Sequence, residues 1–384
     1  MLMKITRVET FLVPPRWLFV KVETDEGISG WGEAILQNRP KAVEAAVYDL
    51  AQFLIGEDPT PVEAHWTRLY RGGFYRSGGT LMSALSALDQ AMWDIKGKAL
   101  GTSICRMLGG PVREKIQVYT WIGGDRPEAT GEAAQHAVER GFKAVKMLAC
   151  EEMNYIDSNA RIDAAVAKVA AVRTAVGFDL GIGIDFHGRV HRPMVKTLAR
   201  QLEPLRPMFY EEPLLSEHAD ALIDLAHSTT VPLALGERLF TRWEFKKIFE
   251  DGAIALIQPD ASHAGGITET KKIAAMAECY DIGLALHCPL GPIALAACLQ
   301  LDGLCQNAVV QEQSFGIHYN KTNDLFDYLV DPNVFKFTDG YVDIPDRPGL
   351  GIEINEEYVR ERATIGLDAR RELWKHPDGS FAEW

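Results

Sequence analysis

The sequence of 384 residues lacks several features that mark particular classes of protein. Its six cysteines include no CxxC pair, so it shows neither a disulfide framework nor a zinc-binding pattern. It contains no run of about 18 apolar residues, the length that a transmembrane helix needs. The first ten residues also lack the apolar stretch of a signal peptide. We therefore expect a cytoplasmic protein in a reducing compartment.

Positive charge is also scarce, because the net charge is −13 at pH 7. Nucleic acids and anionic membranes need a basic surface, so we expect neither as a partner. A small anionic substrate is still compatible with this charge, since a bound metal can reverse the local field. The Gly-rich segment 71–79 lacks the Gly-Lys-Ser/Thr ending of a phosphate loop, which argues against a nucleotide site.

Three acidic residues recur at a regular interval. Asp185, Glu211 and Glu237 are 26 residues apart, and each ends a short apolar segment. A strand, a helix and their loops occupy roughly this length, so the period indicates successive βα units of a parallel barrel. Carboxylates at the ends of neighbouring strands would converge on one point. An all-oxygen site of this kind suits a hard cation such as Mg²⁺.

The strand and helix patterns divide the chain into three parts. Residues 1–116 are predicted to form an α+β domain, with strands at 4–13, 17–23 and 29–31 and helices at about 41–54, 61–70 and 80–99. Residues 117–325 contain eight strands that alternate with helices, which indicates a closed α/β barrel. Residues 326–384 break this period, and we expect them to pack back on the first domain. The predicted barrel strands are 117–121, 143–148, 181–185, 207–211, 232–236, 254–258, 282–286 and 308–312.

Nearly every predicted barrel strand ends at a titratable residue, where barrels carry their catalytic groups. Glu211 is followed by Glu212, and only one of the two can point inward because side chains alternate along a strand. The 26-residue spacing selects Glu211. In chain order the strand-end residues are Lys146, Asp185 with His187, Glu211, Glu237, Asp260, His287 and Glu312.

Two histidines have positions that favour proton transfer. His287 and Asp260 end adjacent strands, and an Asp–His pair fixes the tautomer of the imidazole and raises its basicity, as a general base requires. His187 lies two residues after Asp185. Hard-metal sites seldom recruit imidazole, so we interpret His187 as a proton donor. His263, by contrast, is interpreted as part of a loop.

These residues stand in motifs that resemble the enolase superfamily, in its mandelate-racemase-like branch, and within that branch the D-galactonate dehydratase family. The resemblance covers almost the whole chain. The segments that carry it are Pro14–Trp17, Trp121–Pro127, Asp185–Arg189, Glu211–Pro213, Gln258–Glu269, His287–Ile293, Gln311–Ser314, Gly316–Asn320 and Phe381–Trp384.

The resemblance implies a modified TIM barrel, (β/α)7β, with an N-terminal α+β capping domain that the C-terminal segment completes. It implies Mg²⁺ bound by Asp185, Glu211 and Glu237. It also implies that His287, paired with Asp260, removes the C2 proton of an aldonate and that His187 protonates the departing C3 hydroxyl. Glu312, assisted by Lys146, would stabilise the enediolate. The family further implies a homo-oligomer such as an octamer.

Two departures from the family pattern leave the substrate open. Leu148 stands where we expect asparagine, and Leu286 where we expect proline, so the pocket could select another aldonate, such as gluconate, mannonate or a pentonate. Leu148 also removes one base that a racemase would use. A non-catalytic sugar-acid sensor and a metal-dependent hydrolase are the remaining alternatives. We expect Arg16 and Trp17, in the N-terminal segment, to contact the sugar tail.

Overall fold

The structure is a computed structural model that describes residues 3–76, 78–123, 129–148, 150–367 and 373–383. An antiparallel sheet opens the chain, with strands β1 (Ile5–Val13), β2 (Trp17–Thr24) and β3 (Ser29–Glu33) in that order. Helices α1 (Pro40–Ala51), α2 (Val62–Arg71), α3 (Gly79–Leu100) and α4 (Ile104–Met107) follow. The strands and the three longer helices lie where the sequence predicted them. None of the helices in the described ranges is long and apolar enough to cross a membrane.

Within the described ranges, eight parallel strands then form a barrel, and the first seven pair in chain order. The last pairs with the first, and a bridge between Leu284 and Ala308 closes the ring. The strands are β4 (Lys115–Ile122), β5 (Ala144–Leu148), β6 (Gly181–Asp185), β7 (Phe209–Glu211), β8 (Leu233–Leu235), β9 (Leu256–Ile257), β10 (Gly283–Leu284) and β11 (Gln311–Glu312). The intervening helices are α5 (Thr130–Glu139), α6 (Asn159–Val176), α7 (Arg192–Leu202), α8 (Leu222–Ala226), α9 (Arg242–Asp251), α10 (Gly266–Glu278) and α11 (Pro292–Leu304).

All eight predicted barrel strands are present, and in the part of the chain that the structure describes seven α-helices separate them, so the (β/α)7β architecture is confirmed. Strands β7 to β11 are shorter than the sequence predicted. Pro207 and Pro232 begin two of the predicted segments, and proline has no N–H to donate to a ladder. The regular pairing therefore starts only after them.

A separate apolar cluster fills the barrel interior. Its side chains come from many of the strands, as expected where inward-facing residues stack in layers. Gly183 on β6 makes room for the ring of Phe209, since a Cβ at Gly183 would lie 2.5 Å from that ring. The members of the cluster are Tyr119, Ala144, Phe209, Ala234, Leu256, Ala285 and Val310.

The C-terminal segment contacts both preceding parts of the chain. Strand β12 (Tyr341–Asp343) pairs antiparallel with β4, which the sequence did not predict. Helix α12 (Glu356–Ala363) lies beside the N-terminal sheet, where Glu356 binds Lys21 at 2.9 Å and Arg360 binds Glu9 at 2.8 Å. The domain boundaries at 116 and 325 remain our proposal.

Helix α3 packs on β3 at backbone distance. Cβ atoms at Gly30 and Gly32 would lie 2.1 Å and 1.9 Å from carbonyl oxygens of α3, so only glycine permits this approach. At the end of β3, the Glu33 carboxylate is fully buried and accepts hydrogen bonds from the N–H groups of Gly291 (2.7 Å) and Ala294 (3.0 Å). Glu33 thus caps helix α11 of the barrel from the N-terminal sheet.

We expect Glu33→Ala to lower the free energy of unfolding by about 2–4 kcal/mol, because two buried N–H groups lose their acceptor. Glu33→Gln keeps one acceptor oxygen, so its free energy of unfolding should fall by less. Urea unfolding of both variants measures this. Glu26→Ala, at an exposed position before β3, is the control and should change stability by no more than about 0.5 kcal/mol. A Glu33→Ala value as small as that of the control would show that the cap is dispensable.

Candidate active site

The carboxylates of the predicted metal triad lie at the C-terminal ends of three adjacent strands. Asp185 and Glu211 are the last residues of β6 and β7 and are direct partners in the sheet register. Glu237 follows β8 by two residues. Register in a parallel sheet therefore places these side chains at one edge of the barrel, as the 26-residue period predicted.

Lys146 on β5 supplies positive charge to this edge. Its ammonium lies 2.7 Å from Glu211, 2.9 Å from Glu312 and 3.7 Å from Asp185, and its side chain is 1 % exposed. Burial alone would lower the pKa of Lys146, but the carboxylates of Glu211 and Glu312 outweigh it and hold the pKa well above its ordinary value. Lys146 is thus a buried ammonium shared by several acids.

Glu211 and Glu212 have different surroundings. Glu211 accepts a hydrogen bond from the Gln258 amide at 2.6 Å, in addition to its contact with Lys146. Glu212 adopts a left-handed backbone conformation (φ +39°) and lies 2.9 Å from the Nε atom of Arg238. Burial, together with the charge of Glu237, raises the pKa of Glu212 to about 8. Glu211 is therefore the member of the pair that faces Lys146.

His187 stands at the end of β6 with φ +48°, in the left-handed region that non-glycine residues seldom adopt. This turn brings its ring back to Asp185. The backbone N–H of His187 donates to Asp185 Oδ1 (2.8 Å), and its Nε2 atom lies 3.0 Å from Asp185 Oδ2. Strained backbone of this kind often occurs at functional sites. His187 also lines the cavity described below.

His287 is held between two carboxylates. Its Nδ1 atom lies 2.7 Å from Asp260 Oδ2, and its Nε2 atom lies 2.8 Å from Glu237 Oε2. Burial opposes the charged imidazolium, but Glu237 and Glu312 outweigh it and hold the pKa of His287 well above its ordinary value. The backbone N–H of Ser262 donates to Asp260 Oδ1 at 2.6 Å, which fixes the carboxylate. The side-by-side Asp260–His287 arrangement expected of adjacent strands is present.

Glu312, at the end of β11, completes the ring of strand-end acids. It accepts hydrogen bonds from the indole N–H of Trp121 (2.9 Å) and the backbone N–H of Cys288 (3.0 Å). With Lys146 these contacts give its buried carboxylate three partners. Glu312 is therefore held rigidly beside the positive charge.

The donor chemistry of the triad fits a hard divalent cation, because the buried carboxylates of Asp185 and Glu211 and the half-buried carboxylate of Glu237 supply oxygen ligands. In the described part of the chain, however, no group of three Asp, Glu, His or Cys side chains encloses a metal position as the side chains stand. Each triad carboxylate is engaged by a positive or titratable group instead. The pairs are Asp185 with His187, Glu211 with Lys146, and Glu237 with His287.

A cavity of about 820 Å³ opens above this cluster, which is within the usual range for a small-molecule site. His187, Glu237 and His287 form its floor, and residues 35–42, from the N-terminal part of the chain, form a wall. Arg16 lines the cavity, donates to the carbonyl of Pro289 and lies 3.9 Å from the ring centre of Tyr319.

The sequence matches two family models. Residues 8–109 match the mandelate racemase / muconate lactonizing enzyme N-terminal domain, and residues 129–358 match the enolase C-terminal domain-like model. Together they cover most of the chain. The chain belongs to the enolase superfamily. The resemblance noted in the sequence is thereby confirmed.

Known relatives narrow the class of reaction. The chain is 54 % identical to the D-galactonate dehydratase of Pectobacterium atrosepticum and 53 % identical to that of Variovorax paradoxus, over 382 residues and the full length of each. An enolase from Agrobacterium radiobacter, solved with Na and L-malate bound, is 32 % identical with a TM-score of 0.89, covering 99 % of this chain and 100 % of its own. A mandelate racemase/muconate lactonizing enzyme from Sulfitobacter sp. has the same TM-score at 30 % identity, covering 98 % and 99 % of the two chains. This member of the superfamily is thus a dehydratase, a hydro-lyase.

Trp17 does not lie where we expected it. It is fully buried and packs against Phe19 and Tyr328, so it does not line the cavity. Strand β2 begins at Trp17 and its first six residues are all buried, so this side chain lies in the core, whereas Arg16, one residue before the strand, lines the cavity. Contact between Trp17 and a sugar tail is therefore not supported.

The two leucines that depart from the family pattern are also buried. Leu148 is the sheet partner of Asp185, and Leu286 precedes His287, but both are 0 % exposed and neither lines the cavity. Direct contact of these leucines with substrate hydroxyls is therefore not supported. Of the family segments, residues 124–127 of Trp121–Pro127, and Trp384, lie outside the described residues.

Three residues near the site were missed by the sequence reasoning. Gln258 and Trp121 end predicted strands and bind Glu211 and Glu312, so the strand-end rule, if extended to uncharged residues, would have found them. His263 was interpreted as loop structure, but it lines the cavity. Its position depends on helix α3, which is distant in the sequence.

We expect Lys146→Met to destabilise the protein by about 3–5 kcal/mol, because it leaves buried carboxylates without their positive partner. Lys143→Met is the matched control. Lys143 has a half-exposed side chain and binds exposed Asp339, so its loss should destabilise the protein far less than the loss of Lys146. Thermal unfolding measures the stability of both variants. An equal loss of stability in the two would show that the buried ammonium of Lys146 does not stabilise the cluster.

Proposed function

We propose that the protein dehydrates D-galactonate to 2-dehydro-3-deoxy-D-galactonate, with Mg²⁺ as the cofactor. The observation that carries this proposal is the pair of histidines, His187 and His287, on opposite sides of one cavity. The full-length relatives named D-galactonate dehydratase support the choice of substrate. The proposal extends to a cytoplasmic homo-oligomer that binds neither nucleic acid nor membrane.

We assign His287 as the general base that removes the C2 proton. Asp260 accepts from Nδ1 and so directs Nε2 towards the substrate. In the present contacts Nε2 lies 2.8 Å from Glu237. In these contacts the charge of Glu237 favours a proton on Nε2. Once Glu237 is engaged elsewhere, as it would be as a metal ligand, Nε2 can release that proton and then take one up from the substrate.

We assign His187 as the acid that protonates the C3 hydroxyl. It follows the third strand of the eight-stranded barrel and His287 follows the seventh, so the two imidazoles enter the cavity from opposite sides. A base and an acid on opposite faces of a substrate suit an anti elimination, in which the C2 proton and the C3 hydroxyl leave from opposite sides. Hydroxide is a poor leaving group until it is protonated, so the reaction needs this second group.

Removal of the C2 proton puts negative charge beside a carboxylate, and the site must stabilise that charge. We propose that Lys146 and Glu312 assist at this position, since both belong to the buried ring of strand-end groups. Mg²⁺, when bound by Asp185, Glu211 and Glu237, supplies further positive charge for the developing oxyanion. Arg16, at the cavity wall, is our proposed contact for the sugar tail.

The experiment that tests the function is an end-point assay for 2-keto-3-deoxy acid on a panel of aldonates, with Mg²⁺ and with EDTA. We expect turnover of D-galactonate that Mg²⁺ supports and EDTA abolishes. Turnover of gluconate, mannonate or a pentonate instead would keep the mechanism and change the substrate. A protein that binds aldonates without converting any of them would be a sensor, and the proposal would be wrong.

Isotope exchange distinguishes the proposed roles of the two histidines. In D₂O, His287→Asn should abolish both dehydration and C2 exchange, because it removes the base. His187→Asn should lower dehydration at least about 100-fold, the lower range for loss of a general acid, while some C2 exchange continues. NMR of the substrate measures exchange, and product analysis measures dehydration. Full C2 exchange in His287→Asn would show that His287 is not the base.

A further inference from the structure

His263 lies in the loop between β9 and α10, lines the cavity and has no role in the proposed elimination. Its side chain is about one-tenth exposed, so only part of the ring reaches the open space. The Nδ1 atom lies 2.9 Å from the hydroxyl oxygen of Ser83 on α3. The Nε2 atom lies on the other side, 3.6 Å from Asp260 Oδ2.

The contacts of Ser83 favour one tautomer of His263. The Ser83 hydroxyl has a single hydrogen, and it donates this to the carbonyl of Gly79 at 2.8 Å. In that arrangement Ser83 accepts from Nδ1 of His263, so Nδ1 carries the hydrogen and Nε2 keeps its lone pair. Burial lowers the pKa of His263 despite the opposing charge of Asp260, which keeps the ring neutral.

The Nε2 atom and Asp260 Oδ2 are both hydrogen-bond acceptors. Asp260 Oδ2 already accepts from Nδ1 of His287 at 2.7 Å, and 3.6 Å is too long for a hydrogen bond to His263. Because His263 lines the cavity, an acceptor on its ring is stabilised by a donor from whatever fills the cavity. The hydroxyl of an acid sugar is such a donor.

The loop that carries His263 is held firmly enough to make this acceptor selective. The N–H of Gly265 donates to Ser86 at 2.9 Å, and the Gln90 amide donates to the carbonyl of Ala261 at 3.0 Å. Both partners belong to α3. The Nε2 position is therefore fixed from two sides of the loop, and it cannot readily follow a hydroxyl of the wrong configuration.

We propose that His263 determines substrate specificity by accepting, at Nε2, a hydrogen bond from a substrate hydroxyl beyond C3. The inference rests on the proposed dehydration, in which C2 and C3 react at His287 and His187. A buried acceptor that loses its donor discriminates strongly against the substrate that lacks it. The same fixed acceptor would disfavour an epimer whose hydroxyl points away.

Two substitutions of His263 distinguish the contact made by Nδ1 from the acceptor role proposed for Nε2. Asn reaches the place of Nδ1 and keeps the contact with Ser83, but it leaves the Nε2 position empty. Gln extends to the place of Nε2 and supplies a carbonyl acceptor there. His227→Asn, at an exposed position after α8, is the matched control.

The test compares kcat/KM on D-galactonate with kcat/KM on its 4-deoxy, 5-deoxy and 6-deoxy analogues, for the wild type and each variant. We expect His263→Asn to lower kcat/KM on D-galactonate about 10–100-fold, mainly through KM, because it removes one hydrogen bond to the substrate. For one deoxy analogue, the wild type and His263→Asn should have the same kcat/KM, because that analogue already lacks the hydroxyl that would bind Nε2. His263→Gln should regain part of the loss on D-galactonate.

Each outcome decides the question. An equal loss on D-galactonate and on every deoxy analogue would show that His263 acts only through the fold, and the inference would be wrong while the dehydratase function stood. A His263→Asn enzyme with the same kcat/KM as His227→Asn would also overturn it. If the wild type dehydrates no aldonate, the proposed function fails and this inference fails with it.

Discussion

Buried polar side chains on one face of α3 hold the loop that carries Asp260, and the geometry of the active site depends on these contacts. The helix belongs to the N-terminal part of the chain, whereas the loop follows the sixth barrel strand. Each bond satisfies a buried group, so breaking any one of them leaves an unsatisfied donor or acceptor. The pairs are Ser83 with His263, Ser86 with Gly265, Asp89 with Thr268, and Gln90 with Ala261. Since Asp260 in turn orients His287, the position of the proposed base is set partly by a helix outside the barrel.

The acids at the strand ends are stable together only because positive groups lie between them. Burial raises the pKa of Glu211, and the neighbouring charge of Asp185 raises it further, although Lys146 opposes both. His287 has the opposite effect on Glu237, whose pKa lies well below its usual range despite burial. The protonation of each of these carboxylates therefore depends on the charge of its neighbours, and the groups do not titrate independently. An additional cation would relieve this crowding, which is the physical reason that a metal fits the donor set.

The sequence was sufficient to predict the barrel and the strand-end residues, because both follow from local patterns. The 26-residue period selected Glu211 over Glu212, and parallel register places Glu211 beside Asp185. Features that depend on contacts between distant segments were not predicted. His263 meets Ser83 across 180 residues, and no local pattern reports that contact. The burial of Trp17 likewise depends on Tyr328, at the far end of the chain.

Substrate choice should reside where the N-terminal part of the chain meets the barrel. The departures at Leu148 and Leu286 do not reach the cavity, so their influence on a substrate can only be indirect. The cavity wall is formed instead by residues 35–42 and by Arg16, which is tied to the barrel through Pro289. Groups that touch the substrate far from C2 and C3 can alter selectivity without disturbing the proton transfers. The same proton transfers at the barrel strand ends can thus act on different acid sugars when the residues of this N-terminal cavity wall change.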